Sequence, residues 1–113
     1  MKALADLSLV TCNSSSCTLS NEKINFHLKQ LDNWCLEIEN NATHLVKIYK
    51  FETYANALTF TNKVAELAVQ ANHHPKICIE WGLVTISWWT HTLNGLFLND
   101  FIMAARCDEI YFN

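Results

Sequence analysis

The chain contains a single proline, Pro75, and the sequence changes character across it. Proline lacks a backbone N–H and pushes the residue before it toward extended angles, so no helix can run through "NHHP". Upstream, from about Thr53 to Ala71, the residues Tyr54, Ala57, Leu58, Val64, Ala65 and Ala68 recur at helical spacing along one stripe. Downstream, "ICIEW" (77–81) and "LVTISWWT" (83–90) are rich in β-branched and aromatic residues and flank Gly82. They read as two strands of a hairpin. A long helix must therefore stop at residues 72–74 and feed directly into a sheet.

The same grammar appears earlier in the chain. Ser20 can cap a first helix, with Leu19 and Ile24 spaced as a hydrophobic staple and Leu28 and Leu31 continuing the pattern. "WCLEI" (34–38) alternates as a strand, placing Trp34, Leu36 and Ile38 on one side. "ENNAT" is a turn, and "HLVKIYKF" (44–51) completes a first hairpin. A last helix runs from about Asn99 to Tyr111; its cap position, near Phe97, carries no capping side chain. The order α-β-β-α-β-β-α predicts an α+β fold, a four-stranded antiparallel sheet with helices packed on one face. Residues 19–113 then form one domain, and residues 1–18, including "CNSSSC", read as a loose leader.

A length of 113 residues suits a single core. The net charge of −3 and the pI near 5.9 argue against a nucleic-acid footprint. "MKALADLSLV" is interrupted by Asp6, and no apolar run approaches the ~18 residues that would span a membrane. Five cysteines at irregular spacing do not resemble a disulfide framework. Cys35, Cys78 and Cys107 sit inside apolar patterns, where a reduced cysteine acts as a small hydrophobe. A reducing, cytoplasmic setting is expected.

The chemistry concentrates in histidines. His73 and His74 precede Pro75, and His91 follows His74 by seventeen residues, enough for a strand out, a turn and a strand back. If the strands pair, His91 returns to the end of the sheet where His73 and His74 lie. Asp100, at the start of the last helix, could hold an imidazole in one orientation. Three histidines and a carboxylate permit a zinc site with an open position or general acid–base catalysis near neutral pH. Neighbouring histidines diverge, and no HExxH or CxxC accompanies them, so the spacing favours proton transfer. His27 and His44 read as scattered surface or core residues.

"NHHP", Trp81, "TH" at Thr90–His91, "NG" at Asn94–Gly95 and Asp100 together resemble the motif of the pterin-4a-carbinolamine dehydratase family. The resemblance runs from about residue 19 to 112 through "LSNEKINFHLKQLDNWCLEI", "YKFETYANALTFTNKVAELA" and "DFIMAARCDEIY". It implies dehydration of a 4a-hydroxytetrahydropterin to the quinonoid dihydropterin, with no metal or organic cofactor. By position, His73 and His91 resemble the acid–base pair, His74 a pterin contact and Asp100 the support of the histidines. Asn72, Pro75, Trp81 and Thr90 are expected to shape or contact the substrate pocket.

Two positions depart from the family pattern. Val69 stands where a Glu or another polar residue is usual, one helical turn before His73, which implies reduced or retuned activity rather than none. Phe97 stands where relatives often have Ser or Thr, which implies a looser Asp100. The alternatives are a pterin-binding homologue of weak activity and an interaction protein, since some family members stabilise the dimer of a homeodomain transcription factor. Trp88 and Trp89 point to opposite faces of their strand, so one lies on the face without helices. An aromatic there fits burial between copies, and a homodimer or homotetramer is expected.

Overall fold

A computed structural model describes residues 3–11 and 17–113. Its elements are α1 (Asn21–Leu28), β1 (Cys35–Glu39), β2 (Ala42–Lys50), α2 (Tyr54–Ala71), β3 (Lys76–Glu80), β4 (Leu83–Trp88) and α3 (Leu98–Phe112), with short 3₁₀ turns at Leu4–Asp6 and His91–Leu93. The sheet is antiparallel throughout, in the order β1-β2-β4-β3. The α-β-β-α-β-β-α order of the sequence is the order of the main elements.

Local chemistry sets the boundaries. Ser20 Oγ accepts the Lys23 N–H at 3.3 Å and Thr53 Oγ1 accepts the Asn56 N–H at 3.0 Å, so α1 and α2 each begin at a capping hydroxyl. Asn40 and Asn41 both have positive φ, 53° and 65°, as the tight turn between β1 and β2 requires. Asn72, at φ 52°, ends α2 in the left-handed conformation.

Leu45, Tyr49, Val84, Ile86 and Trp88 alternate along β2 and β4 and are buried. With them in the core lie Ala57, Phe60, Val64 and Ala68 of α2, and Phe101, Met103, Ala104 and Cys107 of α3. Two expectations need correction. The α2 stripe read from the sequence mixes two faces: Phe60 belongs to the buried one, whereas Tyr54, Leu58, Ala65 and Val69 form a second apolar stripe that faces outward. In the first hairpin Trp34 is buried, but Leu36 and Ile38 are exposed, because the outer end of this edge strand lies beyond the helices.

The leader is also corrected where it is described. Leu4 is buried, and Arg106 of α3 donates from Nε to Ala5 O (3.2 Å) and from Nη2 to Leu7 O (2.8 Å). Asn99 binds Val10 twice, accepting its N–H at 2.9 Å and donating to its carbonyl at 2.7 Å. Residues 3–11 thus form a strap docked on α3, while Cys12 lies outside the described residues. Cys35 and Cys78 are free but exposed rather than packed, and Cys107 is free and buried. Cys17 is disulfide-bonded. Among the described residues no helix is long and apolar enough to cross a membrane.

Candidate active site

The end of α2 aims the first motif histidine. The left-handed Asn72 turns the chain, and the His73 N–H bonds back to Ala68 O at 3.2 Å. Pro75 then commits the path to β3. The His73 ring lies nearly parallel to Trp88 (5.4 Å between centroids, 16°) and its Nε2 meets Asp100 Oδ1 at 2.6 Å.

Asp100 is fully buried at the first turn of α3. Its Oδ2 accepts from Thr90 Oγ1 (2.8 Å) and from the Phe97 N–H (2.9 Å). The expected looseness is therefore absent. Phe97 offers no capping group, but the Asp100 carboxylate reaches back to bond the Phe97 N–H, where a negative charge also meets the favourable end of the helix dipole. One carboxylate ties the end of α2, the segment after β4 and the start of α3 together. Because Asp100 occupies Nε2, Nδ1 is the His73 atom left to exchange a proton; it has no hydrogen-bond partner among the described residues.

His91 lies just past this junction. Thr90 and Gly95 pair across a narrow neck (Thr90 N–H to Gly95 O, 2.8 Å), and His91 begins the loop that the neck closes, with Asn94 left-handed at φ 53°. The exposed His91 ring rests against Trp89 at 4.3 Å. Since Trp88 and Trp89 point to opposite sides of the sheet, His73 and His91 flank the end of the sheet from its two sides. His74 is exposed and makes no hydrogen bond or ring contact among the described residues. Trp81 is 75% exposed in the β3–β4 turn, at the other end of β3. The five residues of β3, ~16 Å at strand spacing, hold it apart from this corner.

A cavity of about 370 Å³ opens beside His73, Asn72, Thr90, Phe97 and Asn99, with strap residues Leu9, Val10 and Thr11 as its remaining wall alongside Ala71. Its size falls within the ~300–1,000 Å³ usual for small-molecule sites. Of the residues singled out in the sequence, Asn72, His73 and Thr90 line it and Asp100 supports it from behind. His74, Pro75 and His91 stand next to it in the chain.

Two contributions were not legible beforehand. The strap supplies part of the cavity wall. His44, which the sequence reads as a scattered surface or core histidine, is a buried one at 3% exposure, with Nδ1 2.9 Å from Ser87 Oγ and its ring flat on Trp89 at 3.9 Å and 13°. Burial holds its pKa below the ordinary histidine value, with Glu39 pulling the other way. A signal existed in principle: the β2–β4 register that pairs Leu45 with Trp88 places His44 opposite Trp89. His27 fits the core reading, half-buried beside Phe101, with its pKa lowered first by burial and then by Lys23.

The sequence profile of the family described as pterin 4 alpha carbinolamine dehydratase matches residues 17–110. The chain belongs to this family. A protein of Vibrio vulnificus, named as a candidate pterin-4-alpha-carbinolamine dehydratase, is 42% identical over 107 residues, covering 95% of this chain and 97% of its own. Among solved structures, a transcriptional coactivator/pterin dehydratase from Brucella melitensis superposes with a TM-score of 0.75 at 26% identity, over 83% of this chain and 98% of that one. A pterin dehydratase-like protein identified as a RuBisCO assembly factor in the alpha-carboxysome gives 0.60 at 25% identity, over 71% and 90%. The fold is thus that of the pterin dehydratases, and names within this group span catalysis and assembly.

Proposed function

We propose that the chain dehydrates a 4a-hydroxytetrahydropterin to the quinonoid dihydropterin, as a step in tetrahydrobiopterin recycling. The observation that carries this reading is the His73–Asp100 pair, fixed at 2.6 Å in the wall of a ligand-sized cavity in a chain of this family. In the reaction the C4a–O bond breaks and the hydroxyl leaves with its bonding pair, taking a proton to become water. A base removes a ring N–H proton, and that bonding pair closes the new C=N bond. No electron acceptor is required. His73 presents Nδ1 for one proton transfer and His91, at the exposed rim, serves the other. His74, without other partners among the described residues, contacts the pterin. Such assistance supplies ~10²–10⁴-fold in rate.

A series of three variants tests the roles. His73→Ala and His91→Ala are expected to lower kcat within that range, whereas His74→Ala raises KM and leaves kcat largely in place. Loss of kcat in the His74 variant alone would overturn the assignment.

A second reading, an interaction protein, draws on the outward stripe of α2, where Tyr54, Leu58 and Val69 are 48%, 45% and 71% exposed. We read this stripe first as a contact between copies of the chain in a homodimer or homotetramer. Sedimentation equilibrium showing a monomer at micromolar concentration would remove that reading and leave the stripe for another partner.

A further inference from the structure

His44 lies on the face of the sheet without helices, where a polar side chain ordinarily meets water; it is nevertheless buried. Trp89 covers it, ring on ring at 3.9 Å and 13°, and the same Trp89 carries the His91 ring at 4.3 Å, tilted by 38°. The base of this stack is anchored. His44 Nδ1 lies 2.9 Å from Ser87 Oγ of β4 and 3.9 Å from Glu39 Oε2 of β1, and Glu39 is itself bound by Lys76 of β3 at 2.8 Å. Side chains of β1 and β4 thus meet the β2 imidazole, with Lys76 of β3 behind Glu39, and among the described residues its only ring contact is the tryptophan beneath His91.

We propose that His44 is a positioning residue for His91, acting through Trp89, which fixes the orientation of the His91 ring at the site. The proposal rests on the dehydratase reading for its catalytic consequence and on the ring contacts alone for its structural content. His91 occupies an exposed loop tip, where an unsupported side chain would sample several rotamers. The stack selects among them. The consequence is large enough to measure, because a displacement of about 1 Å in a reacting group can cost roughly 10²-fold in rate.

The test uses the full chain. His44→Asn keeps a side-chain polar atom near the place of Nδ1 for Ser87 and removes the flat ring; Trp89→Leu removes the intermediary, and Trp89→Phe restores an aromatic surface. His91 ring resonances, followed by NMR without any ligand, are expected to move in His44→Asn and Trp89→Leu and to return most of the way in Trp89→Phe. Dehydration should show kcat lowered roughly 10- to 100-fold with KM nearly unchanged. The His44→Asn/Trp89→Leu double variant should be no slower than Trp89→Leu alone, as expected of residues acting in one chain of contacts. Unchanged His91 resonances in the folded single variants would overturn the proposal. If His44→Asn does not fold, Ser87→Ala, which frees the His44 nitrogen, takes its place: shifted His91 resonances support the proposal and unshifted ones overturn it. A wild-type protein that does not accelerate dehydration would refute the dehydratase reading, while the NMR comparison still decides the ring contact.

Discussion

Asp100 shows how a single side chain can be legible in position and misjudged in strength. The sequence places an acid near the start of the last helix and histidines within its reach, and the 2.6 Å contact with His73 follows. The absence of a capping hydroxyl at Phe97 suggests a loose corner, but the cap comes from the other side, because the Asp100 carboxylate returns to the Phe97 N–H. Val69 is the converse case. Its departure from the family pattern is plain in the sequence, and its 71% exposure means that the position can change without disturbing the core. Val69→Glu is expected to raise kcat/KM several-fold by returning a carboxylate one turn before His73, with the stability of the single chain altered by no more than ~0.5 kcal/mol, as is usual for exposed sites, while its charge on the stripe read as a contact between copies weakens their association. Steady-state kinetics and urea unfolding check both halves.

At the scale of elements, most ends are readable to within one or two residues because they carry caps and turn residues, Ser20, Thr53, the Asn40–Asn41 pair and Asn72, whereas α1, whose apolar pattern continues to Leu31, stops at Leu28. The strap of residues 3–11 is not readable, for a physical reason. Its anchors, Ala5 O, Leu7 O and the Val10 peptide, are backbone atoms that any sequence supplies, and the specificity sits in Arg106 and Asn99, nearly a hundred residues away. The same limit hid His44, whose role depends on a cross-strand register that periodicity does not set. Asn99→Ala removes both Val10 bonds. It is expected to speed amide hydrogen exchange at residues 7–11 and to raise KM for the pterin, since the strap forms part of the cavity wall. Exchange unchanged from wild type would mean that Arg106 and Leu4 alone hold the segment.

For the whole molecule, buried histidines tie stability to pH. His44 and His27 both have pKa values held below 6.5 in the folded chain, chiefly by burial. The unfolded chain titrates them near 6.5, so below that pH it binds more protons than the folded one, and unfolding is favoured as pH falls. Their stabilising contribution is complete above the unfolded value and is lost as acidification approaches the lowered folded values. Tm should drop between about pH 7.5 and about pH 5.5, and by less in His44→Asn, which removes one of the two groups. An equal drop in both proteins would show that His44 is not a source of the dependence.

The central claim is that the corner where Asp100 holds His73 beside the cavity is a dehydratase site. Stopped-flow measurement of the dehydration of a synthetic 4a-hydroxytetrahydropterin tests it most directly. The wild-type protein is predicted to exceed the buffer rate by a wide margin, with His73→Ala falling back ~10²-fold or more; a wild-type rate equal to that of buffer would contradict it.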